Sequence, residues 1–90
     1  MNEQKASWEE IERIVEELIE GQKGKLLQCG RRLVPYLTPE DLLQPNDFPE
    51  LEYHPYFRYE EGLLAGLQSV QMALWALKKS SINPLDEVKS

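Results

Sequence analysis

The sequence FRYEEGLLAGLQSVQMALWALKK, from Phe57 to Lys79, decides the fold. Branched apolar residues recur in it with alternating spacings of four and three, a pattern typical of a helix that packs against another helix. These residues are Leu63, Leu67, Val70, Leu74 and Leu77. We therefore predict a long helix whose leucine row packs on a second helix of the same chain.

A row of small side chains precedes the leucine row by one residue. It consists of Gly62, Gly66, Ser69, Ala73 and Ala76. Leu64 and Trp75 lie three helical turns apart and therefore share a third face. One partner helix cannot cover all of these faces, which predicts a further contact, with another copy of the chain. The residues expected at this partner interface are Leu64, Trp75, Gln68, Gln71, Gly62, Gly66 and Ala73.

A first long helix is predicted from Trp8 to Val34, with Ser7 as its N-cap and Pro35 ending it. Gly21 and Gly24 lie inside this range, and each costs about 1 kcal/mol relative to alanine. The apolar residues keep one helical phase across both glycines, and acidic residues predominate early along the axis and basic ones late. These two observations favour a continuous helix over one broken at the glycines.

The connection is predicted to hold a short helix from Thr38 to Gln44, followed by an ordered proline-rich loop from Asn46 to Pro55. The resulting fold class is all-α: an antiparallel helical hairpin, two copies of which form a four-helix bundle. Residues 1–6 are expected to be a flexible N-terminus, residues 7–79 one helical domain, and residues 80–90 a flexible tail.

Composition excludes several classes of function. The 90 residues carry a net charge of −6, which argues against binding to nucleic acid or anionic membranes. No apolar run approaches the roughly 18 residues of a membrane span, and the polar start does not resemble a signal peptide, so we expect a cytoplasmic protein. Cys29 is the only cysteine, which excludes an intramolecular disulfide, and we expect it to be a small buried apolar residue.

One polar and aromatic stretch, from Glu50 to Glu61, could carry chemistry. The candidate ligand residues are His54, Arg58, Glu60 and Glu61, which could bind a divalent metal or an anion. The structural alternative is that these residues close the end of the bundle. A separate acidic row on the first helix is expected to be a solvated face, because the later helix has no carboxylate after Glu61 to complete a metal site.

No phosphate-binding loop, nucleophile motif or metalloprotease motif is present in the sequence. The sequence therefore predicts a small acidic helical protein-interaction module without enzymatic activity or a cofactor. We expect a homodimeric adaptor or chaperone-like protein that could also contact a second protein. The alternative is a protein that binds a small ligand or a metal ion through the His54–Glu61 stretch. An enzyme that uses these residues belongs to the same alternative.

Overall fold

A computed structural model describes residues 6–82, whose regular secondary structure is entirely helical. The elements are α1 (Trp8–Arg31), two 3₁₀ helices (Pro39–Leu43 and Pro45–Asp47), α2 (Pro49–Glu52) and α3 (Pro55–Ile82). The prediction of an all-α fold is thus confirmed. Most of the termini expected to be flexible, residues 1–5 and 83–90, lie outside the described residues.

Helix α1 begins at the predicted cap. The Ser7 hydroxyl accepts a hydrogen bond from the Glu10 backbone N–H, and the Glu10 carboxylate accepts one from the Ser7 N–H, both at 3.1 Å. The helix is continuous through both internal glycines. It ends at Arg31, three residues before the predicted end at Val34. The Pro35 ring clashes with a helical conformation of the preceding residue, Val34. The chain therefore leaves the helix and turns between Arg32 and Tyr36.

The connection is more helical than predicted. The short helix predicted from Thr38 to Gln44 is a 3₁₀ helix, and Thr38 caps it through a reciprocal pair of hydrogen bonds with Asp41. The loop expected from Asn46 to Pro55 contains a second 3₁₀ helix and α2. Each helical element after α1 begins with proline, whose fixed φ and missing N–H suit the first position of a helix.

The hydrophobic core lies where the connection folds over the end of α1. Its buried residues come from α1, the turn after it, α2 and the start of α3: Leu26, Val34, Leu37, Leu51 and Phe57. Gly30 allows this close approach, because a Cβ at that position would lie 2.5 Å from Leu37 Cδ2. A larger residue at position 30 would therefore push the connection away from α1.

Helices α1 and α3 also contact each other along their lengths. Near the core, the Gln22 side-chain amide donates hydrogen bonds to the carboxylate and the backbone carbonyl of Glu60. Farther from the core, Lys78 Nζ donates to Glu12 Oε2 at 2.9 Å. The earlier residue of α1 therefore contacts the later residue of α3, and the later residue of α1 contacts the earlier one of α3. Helix α3 extends to Ile82, so residues 80–82, expected to belong to a flexible tail, are helical.

Within residues 6–82, no helix combines the length and the apolar character that crossing a bilayer requires.

Candidate functional site

One row of α3 residues faces α1. We call it the inner row, and it has alternating spacings of three and four: Phe57, Glu60, Leu64, Leu67, Gln71, Leu74 and Lys78. Every member is buried or half-buried. Three of the seven are polar or charged, and each of these contacts or lies close to a polar residue of α1, such as Gln22 or Glu12. The inner row therefore combines apolar packing with specific polar pairs.

The predicted leucine row is only partly correct. Leu67 and Leu74 belong to the inner row, but Leu63, Val70 and Leu77 are exposed. Conversely, Leu64 was expected on an outer face and instead packs against the core. The physical reason is Phe57, which is fully buried in the core between α1 and the connection and so favours one rotation of α3. Leu64 lies seven residues after Phe57 and so shares its face.

A second row of α3 residues has the same helical spacing and lies on an exposed flank, about 100° around the helix from the inner row. We call it the outer row, and its members are Tyr56, Tyr59, Leu63, Gly66, Val70, Ala73 and Leu77. All seven are exposed, and the five large members keep between 42% and 67% of their surface accessible. None of the seven is charged. The outer row is therefore more uniformly apolar than the row that packs inside the chain.

The glycines of α3 have no packing role within the described chain. A Cβ placed on Gly62 or Gly66 would meet no atom within 4 Å, in contrast to Gly30. Neither glycine has a positive φ, so the backbone does not require glycine either. Each therefore costs about 1 kcal/mol of helix stability relative to alanine, and no packing within the described chain offsets this cost. The small side chains leave room for a neighbour close to the helix backbone.

Helix α1 also exposes apolar residues, namely Ile14 and Leu18, which are 51% and 53% accessible. They flank the α1 residues that pack on α3, such as Val15 and Ile19. Farther along the same flank, the side chains become polar and basic, with Lys25 exposed. The apolar surface of α1 is therefore limited to the half of the helix nearest its N-terminus.

The connection covers a different flank of α3. Leu42 and Leu43 of the first 3₁₀ helix line a groove of about 690 Å³ together with Leu27, Leu64 and Ala65. The groove is also lined by charged residues, namely Glu20, Lys23, Glu40 and Glu61. Its surface therefore combines apolar and charged side chains. No outer-row residue lines the groove. No sequence pattern predicts this groove, because its shape depends on how the connection packs against α1 and α3.

The residues predicted at the partner interface fall in three places. Gly62, Gly66 and Ala73 are exposed on the side of α3 that points away from α1. Leu64 and Gln71 are half-buried in the inner row, on the side of α3 that faces α1. The two other predicted residues lie between these faces: Gln68 lines the groove, and Trp75 borders a small depression beside Val15.

The candidate ligand residues do not converge on one site. Arg58 donates from Nε to the Glu52 carbonyl at 2.8 Å and pairs with Glu61, whereas Glu60 points toward Gln22. His54 Nδ1 is buried and has no hydrogen-bond partner. Across residues 6–82, no group of three or more His, Cys, Asp and Glu side chains is arranged to hold a metal ion.

Cys29 packs against the core and is half-buried, in line with the expected apolar role. Burial raises the pKa of its thiol above the ordinary value, and the nearby Glu60 carboxylate raises this pKa further. Arg32 acts in the opposite direction. A raised pKa leaves the thiol protonated and makes it a poor nucleophile.

No protein-family model, curated protein or solved structure matches this chain.

Proposed function

We propose that this protein is a self-associating helical interaction module of the cytoplasm. In this proposal α1 and α3 form an antiparallel hairpin, and two copies pack into a four-helix bundle. The observation that carries it is the exposed outer row of α3, whose seven residues repeat like a helix-packing seam and include no charge. Burial of such a seam against a neighbour is the most direct physical reason for its composition.

The opposite direction of the contacts Gln22–Glu60 and Glu12–Lys78 supports the antiparallel hairpin. In each helix, the exposed apolar residues precede the inward-facing ones by one residue, so they are rotated from them in the same sense by about 100° at 3.6 residues per turn. Because the helices run in opposite directions, both rotations turn toward the same side of the pair. Ile14 and Leu18 thus extend the outer row into one apolar face.

The size of this face is sufficient for a specific dimer. The outer row spans about 33 Å at 1.5 Å per residue, and two adjacent helices are about 20 Å wide. The face measures roughly 700 Å² per copy, of which roughly 500 Å² is apolar because the apolar part of α1 flanks only about half of the outer row; standard protein interfaces bury roughly 800 Å² per partner and include a polar rim. Isolated exposed leucines are ordinary on monomers, but a contiguous face of this size usually marks an interaction site.

The assembled pair would act by binding, as an adaptor or chaperone-like protein. Two surfaces stay outside the proposed seam: the groove beside Leu43, and the exposed side chains of Tyr36 and Tyr53. Tyrosine is enriched in protein interfaces because it combines a large apolar ring with a polar end. These surfaces support contact with a second protein.

The proposal is tested by a matched pair of substitutions on α3. Val70 lies in the outer row and Met72 on another flank, and both are exposed, at 51% and 66%. Val70→Glu should convert a dimer into a monomer, as measured by light scattering, whereas Met72→Glu should leave the mass unchanged. Circular dichroism would verify that both variants stay folded. A monomeric wild-type chain, or a dimer insensitive to Val70→Glu, would refute the proposal.

A further inference from the structure

We infer that the two copies associate through antiparallel outer rows, about a two-fold axis perpendicular to α3 at the level of Gln68. The inference rests on the proposed function, because it assumes self-association. It adds the orientation and the register of the two copies. Two independent features support it: the order of large and small residues in the outer row, and the charges beside the apolar residues of α1.

The central part of the outer row alternates large and small residues: Leu63, Gly66, Val70 and Ala73. In an antiparallel pair centred at Gln68, residues equidistant from the centre face each other. Val70 then faces Gly66 of the second copy, and Leu63 faces Ala73, so that each large side chain meets a small one. The two-fold axis repeats both pairings.

A parallel pair would instead place each residue opposite its own copy. Gly66 would then face glycine and leave a void, while Val70 and Leu63 would each face a residue of equal size. Interiors pack at the density of organic crystals, so alternating voids and crowded layers are unfavourable. Space for the antiparallel contact exists, because no atom of the described chain lies within 4 Å of a Cβ placed on Gly66.

The charges on α1 favour the same orientation. Exposed Glu10 lies beside Ile14, toward the N-terminus of α1, whereas exposed Lys25 lies on the same side toward its C-terminus. The α1 residues level with Gln71 include Val15, so the axis crosses α1 near Leu18. A two-fold axis perpendicular to the helices stacks α1 on its copy with the ends inverted, so Glu10 faces Lys25 of the second copy. Exposed ion pairs contribute little affinity, but juxtaposed like charges disfavour the wrong orientation.

The orientation of the two copies can be measured without altering the outer row. A spin label on Lys79→Cys, in a Cys29→Ser background, uses an exposed position outside the outer row. In the antiparallel arrangement, the two labels lie at opposite ends of the bundle, about 33 Å apart along the axis at 1.5 Å per residue. Pulsed dipolar spectroscopy should therefore give a distance above about 33 Å. A parallel arrangement would place them at one end, within about 25 Å, twice the width of a helix.

The register can be measured by disulfide formation between two single variants in the same background. A mixture of Gly66→Cys and Val70→Cys chains should form a mixed disulfide, identified by mass, because these positions face each other. Each variant alone should not, because like positions lie about 6 Å apart along the axis in addition to the helix separation. The resulting distance between the two Cα atoms exceeds the roughly 7 Å limit for a disulfide.

The outcomes separate the two proposals. A monomer in both experiments would refute self-association itself. A dimer with a short label distance would overturn the antiparallel orientation and leave self-association standing. A long distance with disulfides in each single variant, or with no mixed disulfide in an intact dimer, would overturn the register. If cysteine in the seam weakens association, the spin-label distance still decides the orientation.

Discussion

The side-chain amide of Gln22 donates two hydrogen bonds to Glu60, one to the carboxylate at 2.6 Å and one to the backbone carbonyl at 3.0 Å. Gln22 is 8% exposed and is the buried polar side chain of the described core. Sliding α3 along α1 would leave this amide without partners in a poorly solvated place. The pair therefore fixes the axial register of the two long helices.

Removing this amide should destabilise the fold. We expect Gln22→Ala to lower the free energy of unfolding by about 1–2 kcal/mol, because the half-buried Glu60 groups lose their donor. Gln28→Ala, on an exposed face of the same helix, should change it by less than about 0.5 kcal/mol. Urea denaturation at one fixed protein concentration measures both. Equal effects of the two substitutions would refute the role assigned to Gln22.

The glycines of α1 should respond in opposite directions to alanine. Gly30→Ala places a methyl group 2.5 Å from Leu37 Cδ2 and 3.3 Å from Phe57 Cε1, so we expect a loss of about 1–3 kcal/mol from overpacking. Gly24→Ala meets no atom within 4 Å and should add up to about 1 kcal/mol through helix propensity. Thermal unfolding would distinguish them. A stabilised Gly30→Ala would show that the connection does not pack tightly there.

The Cys29 thiol should react slowly with a disulfide reagent at pH 8, compared with the same chain in urea. Its pKa is raised by burial and by Glu60, so less thiolate is present. Glu60→Gln should lower this pKa and speed the reaction, and Arg32→Ala should raise the pKa and slow it. Because folding raises the thiol pKa, the protonated thiol favours the folded state. This contribution to the free energy of unfolding is fully present below the ordinary thiol pKa and is lost as pH rises through the pKa of the folded state. Equal rates in the folded and unfolded chains would contradict this account.

Divalent cations and phosphate should leave the thermal midpoint unchanged. Arg58 and Glu61 are already paired with each other, and Glu60 is held by Gln22 of α1. A ligand that binds the folded state would raise the midpoint by mass action. A rise with any of Mg²⁺, Mn²⁺, Zn²⁺ or phosphate that His54→Ala abolishes would instead favour the ligand-binding alternative.

The sequence was sufficient for the local features of the fold. The capping boxes at Ser7 and Thr38 follow from short-range side-chain chemistry. The continuity of α1 through Gly21 and Gly24 follows from an apolar phase that both glycines leave intact. The termination of α1 at Arg31 depends instead on the turn that precedes Pro35.

The rotation of α3 could not be read from its own residues. Two rows with the same spacing share this helix, and the row through Leu63 and Val70 is the more apolar. The polar row through Gln71 faces inward because the connection buries Phe57, a long-range contact that periodicity does not reveal. Similarly, α2 has only four residues, too few for a periodic signal.

The most direct test of the central claim is sedimentation equilibrium of the unmodified chain over a range of concentrations. The account predicts a mass of twice the 10.5 kDa of the single chain at the higher concentrations, with reversible dissociation on dilution. A mass of 10.5 kDa at every concentration would mean that the outer row of α3 stays in contact with solvent, which would contradict the account.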